Sequence, residues 1–248
     1  MITLTRKILN VKINTYYFAD QEVTLDPSAQ IHGFLHSVTP RESTDGLETL
    51  QIHLIKDKEN IIQGMNNLTK RQIKQAEKKN FTYTVIERPT ERDLAKFRIF
   101  YNEFANTKGT HECNSYHMST MKLLSNRNAL VLTTIQEVQK EPLCYRVYVT
   151  DGSTVMNLYT ASHYRMADNS EMKKLISQAN RYLVWKNICW FKGREHKIYD
   201  FGWLTEDENI RKYKLGFGGE VVTVYSGYEA LSIIGRFILF LRRLSLKL

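Results

Sequence analysis

The sequence predicts a mixed α/β (α+β) fold: a mixed, mainly antiparallel sheet flanked by helices, preceded by a short β-rich N-terminal extension. Three observations carry this. Apolar residues between Glu59 and Lys192 recur at helical spacing in four blocks. Between the blocks lie short apolar runs that alternate with polar residues and end in turn chemistry. Three such runs, from Ala129 to Ala161, follow one another directly, as strands of an antiparallel meander do.

Residues 1–57 read as the extension. Ile13–Phe18 and Ile31–Val38 are candidate strands, with turns at Asp26-Pro27-Ser28 and Thr44-Asp45-Gly46. Leu50–Leu54 alternates as a half-buried strand does. Residues 58–228 form the main domain. From Glu59 a helix places Ile61, Ile62, Met65, Leu68, Ile73 and Ala76 on one face, with Lys70, Arg71, Lys74, Lys78 and Lys79 around the rest. A strand over Thr82–Glu87 follows. Thr90 caps a second helix with Leu94, Phe97, Phe100, Tyr101 and Phe104 inward. A third helix starts near Ser119. Strands follow at Ala129–Glu137, around Leu143–Val149 and around Val155–Ala161, with Asp151-Gly152 as the last turn. A helix over Ser170–Lys192 is apolar nearly all round in its second half, which predicts burial, and Gly193 stops it. Strand Lys197–Phe201, helix Asp207–Tyr213, a glycine-rich turn and strand Glu220–Tyr225 complete the domain. Residues 229–248 read as a basic amphipathic helix carrying Arg236, Arg242, Arg243 and Lys247.

Composition narrows the function classes. Hydrophobic residues make up 42% of the 248, and charged residues 25%, which excludes wholesale disorder. A formal charge of +9 attracts anions, whether nucleic acid, acidic lipid or phosphorylated substrate, without choosing among them. Cys113, Cys144 and Cys189 show no paired spacing, so a reducing compartment is expected. No signal-peptide pattern or membrane-length apolar run is present, and a cytoplasmic protein is expected. His111-Glu112-Cys113 with His117 matches no zinc spacing, and no metal is expected.

Three local motifs then point to one family. Leu68-Thr69-Lys70-Arg71-Gln72-Ile73-Lys74-Gln75-Ala76-Glu77-Lys78 is the first. Ala179-Asn180-Arg181-Tyr182-Leu183-Val184-Trp185, followed by Tyr199-Asp200-Phe201-Gly202, is the second, and Tyr213-Lys214-Leu215-Gly216-Phe217-Gly218-Gly219 is the third. In their order, over residues 50–228, they resemble the FemAB-like branch of the GNAT acyltransferase superfamily. The resemblance implies a GNAT-like domain that moves an acyl or aminoacyl group to an amino group by direct attack. The acceptor would be a phosphate-bearing sugar or a lipid-linked cell-envelope precursor. The donor would be acyl-CoA or aminoacyl-tRNA, and no bound cofactor is implied. Two departures stand out. Residues 1–57 are too short for a complete first half of the bridge-forming enzymes, and Tyr159–Met172 lacks the (Q/R)-x-x-G-x-(G/A) pyrophosphate loop of coenzyme A users.

Acyl transfer needs a neutral amine, donors for the tetrahedral oxyanion and register between substrates. Lys214 beside flexible glycines is a candidate for phosphate or oxyanion, Asp200 for a base or its orienter, and Tyr225 for a proton donor. His163, Tyr164 and Arg165, where the third meander strand leaves the sheet, are candidate substrate contacts, with Tyr213, Gly216 and Phe217 of the third motif. Each has a plainer reading: a helix-end lysine, a structural Asp, a packed strand tyrosine, polar loop residues. The basic face over Thr69–Lys79 would track tRNA or a diphosphate, or simply be solvated. The C-terminal helix would lie on an acidic membrane face, pack in the core or dimerise. Two rival functions stand beside transfer to an envelope precursor. One is acyl-CoA-dependent decoration of a surface polysaccharide, and the other a non-catalytic RNA- or anionic-membrane-binding module.

Overall fold

The computed structural model describes residues 1–8, 10–20 and 23–245, the last four as backbone only. Contacts divide the chain into two compact units: Met1–Thr49 with Val221–Leu248, and Leu50–Glu220. This division differs from the sequence-based one at 57/58 and 228/229. The strand before the main domain is split between the units, and the last strand belongs almost wholly with the N-terminal residues.

In the first unit β1 (Ile2–Ile8) and β2 (Val11–Tyr17) form an antiparallel hairpin. The sequence reading overlooked β1. Parallel to β2 runs β3 (Ile31–Ser37), which pairs antiparallel with the last strand, β10 (Glu220–Ala230). Next comes β4 (Thr44–His53), whose first half completes this unit. Thr44-Asp45-Gly46 is therefore strand rather than turn. The turn closes one step earlier, where the Thr44 hydroxyl donates to the Arg41 carbonyl and accepts from the Arg41 N–H. The unit ends in α7 (Ile233–Ser245). Arg242, Arg243 and Lys247, counted above among the basic residues of this helix, have side chains outside the described residues.

In the second unit the strand order is β4-β9-β8-β7-β6-β5. The members are β5 (Phe81–Glu87), β6 (Leu130–Glu137), β7 (Pro142–Thr150), β8 (Thr154–Ser162) and β9 (Ile198–Trp203). β5 to β8 are antiparallel, whereas β8 and β9 run parallel. On one face lie α2 (Asn67–Glu77) and the long α5 (Ser170–Gly193), which pack together; on the other lies α3 (Glu91–Lys108), with α4 (Ser115–Asn126) beside it. The predicted first helix is two helices. α1 (Lys58–Gly64) ends before Asn66, whose side chain accepts from the Thr69 N–H and starts α2 afresh. The restart turns Leu68 outward while Ile73 and Ala76 stay buried. α3 begins at a full capping box, with Thr90 and Asp93 bonding each other's backbone N–H.

The core of this unit joins β4, β6–β9 and α5 through Leu50, Tyr148, Val184, Ile188, Phe191, Tyr199, Phe201 and Phe217. Under it runs a buried polar chain: Tyr83 Oη donates to Asn187 Oδ1, Asn187 Nδ2 donates to Tyr148 Oη, and the Tyr148 and Tyr199 hydroxyls share a 2.7 Å hydrogen bond. The last helix, α6 (Glu208–Leu215), leads into the glycine turn. There Gly219 has φ +100°, and a Cβ on it would sit 2.4 Å from the Gln51 carbonyl oxygen. Gly219→Ala is expected to cost about 2–4 kcal/mol of stability through strain and collision. Gly193→Ala meets nothing within 4 Å at an exposed helix end and is expected to be neutral or to stabilise by about 0.5–1 kcal/mol. Denaturant midpoints of the two variants check this; equal midpoints would contradict it.

Candidate functional site

The parallel ladder between β8 and β9 covers Thr154–Met156 and Ile198–Asp200, while β8 continues to Ser162. Beside it, side chains from β8, α5 and α6 converge on Arg146 of β7.

Arg146 lies mid-strand on β7, 2% exposed. Its Nη1 donates to Asn157 Oδ1 and Thr160 Oγ1, both at 3.2 Å, and its Nη2 donates to Asn180 Oδ1 at 2.9 Å and Tyr213 Oη at 3.1 Å. Every one of these partners is neutral, and Nε has none. Arg181 stands next to it, its guanidinium 4.8 Å from the centre of the Tyr213 ring, with Nη1 donating to Ser177 Oγ and Nε unpartnered. Neither guanidinium has an ion pair among the described residues. A buried positive charge without a counterion is costly and favours an incoming anion. Tyr213 accepts from Arg146, so its own proton is left to donate. Burial raises its pKa, which keeps the phenol protonated.

Asp200 and Lys214 stand beside the Arg146 cluster. Asp200 is fully buried; its Oδ1 accepts from the Gly202 N–H at 2.7 Å and its Oδ2 from Gln51 Nε2 at 2.8 Å. That first bond bends the end of β9 and holds Gly202 at φ +67°, where a Cβ would meet the Asn157 carbonyl oxygen at 2.6 Å. The bend turns three carbonyls toward Lys214. Its Nζ donates to Phe201 O at 2.8 Å, Gly202 O at 3.2 Å and Trp203 O at 2.7 Å. Burial, then the Arg146 charge, push the Lys214 pKa down to about 8, with Asp200 opposing. Asp200 thus positions the turn and Lys214 clasps it.

The other expected site residues fall elsewhere. Gly216 and Phe217 are buried: Gly216 O accepts from the Asn66 N–H, and Phe217 packs on Phe201 and Tyr213. Tyr225 belongs to the first unit, where it pairs with Ser37 across β3 and β10. His163, on a single 3-10 turn (His163–Met166), stacks on Phe100 of α3 with ring centres 3.7 Å apart. It lines a cavity of about 680 Å³ with Asp93, Lys96, Glu103 and Tyr145, on the α3 face and not the α5 face. Tyr164 and Arg165 are exposed beside it. His117, set aside as a metal ligand, accepts from the Asn114 N–H in the cap of α4. Arg146 and Asn157 escaped the sequence reading; the available signal was an arginine on the second face of a strand that is apolar on both.

No activated thiol accompanies the site. Burial pushes Cys144 up to about 12 and Cys113 up to about 11, and it raises Cys189 as well.

Because folding lowers the Lys214 pKa from 10.5 to about 8, the unfolded chain holds more protons between those values. Stability owed to this group therefore rises as pH climbs from about 8 to 10.5, by an order of 2 kcal/mol after allowing for its partial exposure. Lys214→Met should lose that rise. Urea midpoints for both chains across this range test it, and parallel curves would refute the assignment.

No family model and no curated protein matches the sequence. Solved structures do match the fold. FemX aligns at TM-score 0.62 with 10% identity, over 90% of this chain and 83% of its own. L-PGS from Bacillus licheniformis aligns at 0.55 with 11% identity, over 97% and 84%. The C-terminal domain (DUF2156) ascribed to a lysylphosphatidylglycerol synthetase of Agrobacterium fabrum aligns at 0.54 with 8% identity, over 96% and 83%. The chain therefore shares the mixed, mainly antiparallel α/β fold of these three structures.

Proposed function

We propose that the chain is an acyltransferase that moves an acyl or aminoacyl group to an amino group by direct attack, with a phosphate-bearing substrate held at the Arg146 cluster. The observation that carries this is Arg146: a buried guanidinium bonded only to neutral groups. A phosphate supplies the missing charge, and the Nε–H of Arg146 is the donor its other bonds leave free. Arg181 adds a second cation from α5. The Tyr213 hydroxyl, held by Arg146, is the donor best placed to meet a developing oxyanion.

Direct attack is favoured because the thiols are held protonated by burial. The C–N bond forms as the tetrahedral centre collapses, the donor's C–S or C–O bond breaks, and the proton lost by the acceptor amine to solvent or a nearby base is balanced by one taken up by the departing thiol or ribose hydroxyl. Acyl-CoA and aminoacyl-tRNA both carry phosphates, so both stand as donors for this cluster. The neighbour ascribed to a lysylphosphatidylglycerol synthetase fits the aminoacyl option. An amino sugar phosphate or a lipid-linked envelope precursor is the acceptor class this reading favours.

The test is thermal unfolding with coenzyme A and, separately, with a charged tRNA pool, followed by mass-spectrometric assay of transfer to amino sugar phosphates. One donor should raise the transition temperature and be consumed. Arg146→Lys, which keeps the charge and loses the fork, should lower kcat/KM at least tenfold. Absence of both stabilisation and transfer, or an unaffected Arg146→Lys enzyme, overturns the proposal. Salt-sensitive RNA binding without transfer would identify a binding module instead.

A further inference from the structure

α7 carries an apolar stripe that no described residue covers. Ile233, Ile234, Phe237, Phe240 and Leu241 are all exposed, Ile233 at 84% and Phe237 at 60%. At about 100° per residue they fall within a continuous arc of about 120°. The opposite side is the anchored one. Gly235 is buried there, and a Cβ on it would sit 2.5 Å from the Gln30 carbonyl oxygen; Ile238 and Leu239 flank it, half-buried. The helix is thus fixed to its unit by one face and presents five large apolar side chains on the other. A stripe of this kind is too apolar to be left in water without a partner.

Charge identifies the partner. From Leu231 to Leu248 the sequence holds Arg236, Arg242, Arg243 and Lys247 and no Asp or Glu. A second copy would bring the same positive segment against itself, and like charges oppose that pairing. An anionic bilayer surface offers both an apolar layer for the stripe and phosphates for the cations. α7 spans Ile233–Ser245, about 20 Å at 1.5 Å per residue, which suits a helix lying in the interface. No described helix is long and apolar enough to cross a membrane. We infer that α7 docks the protein onto anionic lipid surfaces, with the Ile233–Leu241 stripe inserted among the acyl chains and the basic residues against the head groups.

Flotation of the full chain with vesicles tests this. Vesicles of phosphatidylcholine with about 30% phosphatidylglycerol are compared with phosphatidylcholine alone, at low and high salt. The protein should float with the anionic vesicles at least tenfold more than with the neutral ones, and less at high salt. Phe237→Ser combined with Phe240→Ser should reduce flotation at least tenfold, and Arg236→Glu should weaken it without altering the circular dichroism spectrum. Equal flotation of the double variant, or indifference to lipid charge, overturns the inference. So does sedimentation equilibrium showing a dimer that the same two substitutions disperse, in a chain that does not bind vesicles; the second copy would then be the occupant.

Discussion

Arg146 has to remain charged inside a strand whose inward neighbours are Cys144 and Tyr148. Removing a guanidinium from water costs several kcal/mol even after relaxation. The second unit offsets part of this with four acceptors from three further elements: Asn157 and Thr160 on β8, Asn180 on α5 and Tyr213 on α6. Those elements are thereby tied to one point. A carboxylate would have been the cheaper partner, and its absence leaves the positive potential unspent. This is the difference between a structural ion pair and a binding site: the first is complete in the folded chain, and the second is completed by a ligand.

The Asp200-Phe201-Gly202 segment acts on the same region through the backbone. Asp200 spends one oxygen on the Gly202 N–H and the other on Gln51. It is committed to shape, and its effect on chemistry runs through the bend it enforces at the end of β9. Lys214 reads that bend, since only turned-in carbonyls can converge on one ammonium. The motif forms a clasp beside Arg146. Its glycine is required for a steric reason: the Asn157 carbonyl occupies the place of a Cβ. Clasp and anion site are coupled by charge, because Arg146 is among the causes that lower the Lys214 pKa.

What was legible in the sequence was local. The Thr90–Asp93 capping box marks the start of α3 within three residues of chain, and the β6–β7–β8 meander declares itself by alternation. The three motifs identified the fold because they sit where backbone approaches backbone, which restricts residue choice. What was hidden was mostly non-local. Arg146 meets Asn180 across 34 residues and Tyr213 across 67, and no periodicity reports such a meeting. The α1–α2 break was local yet missed, because Asn66 as a cap competes with an apolar pattern that runs on through it. β1 escaped because its lysine and arginine diluted the alternation that Ile2 and Leu4 begin.

The surplus of positive charge becomes informative only when its members are separated by environment. Arg71 and Lys74 on α2, and Lys78 and Lys79 just past its end, are exposed, and water is already an adequate partner for them. Their presence does not discriminate between a tRNA track and an ordinary solvated face. Arg146 and Arg181 are different in kind, since burial has removed the solvent and left their Nε atoms unpartnered. Arg236 differs again: it is exposed like the α2 lysines, yet it borders an apolar stripe that water does not satisfy. A cation therefore argues for a ligand to the extent that something beside it denies water the role of partner. In this chain that condition is met at Arg146 by burial and along α7 by exposed apolar surface, and a phosphate is the partner proposed for both.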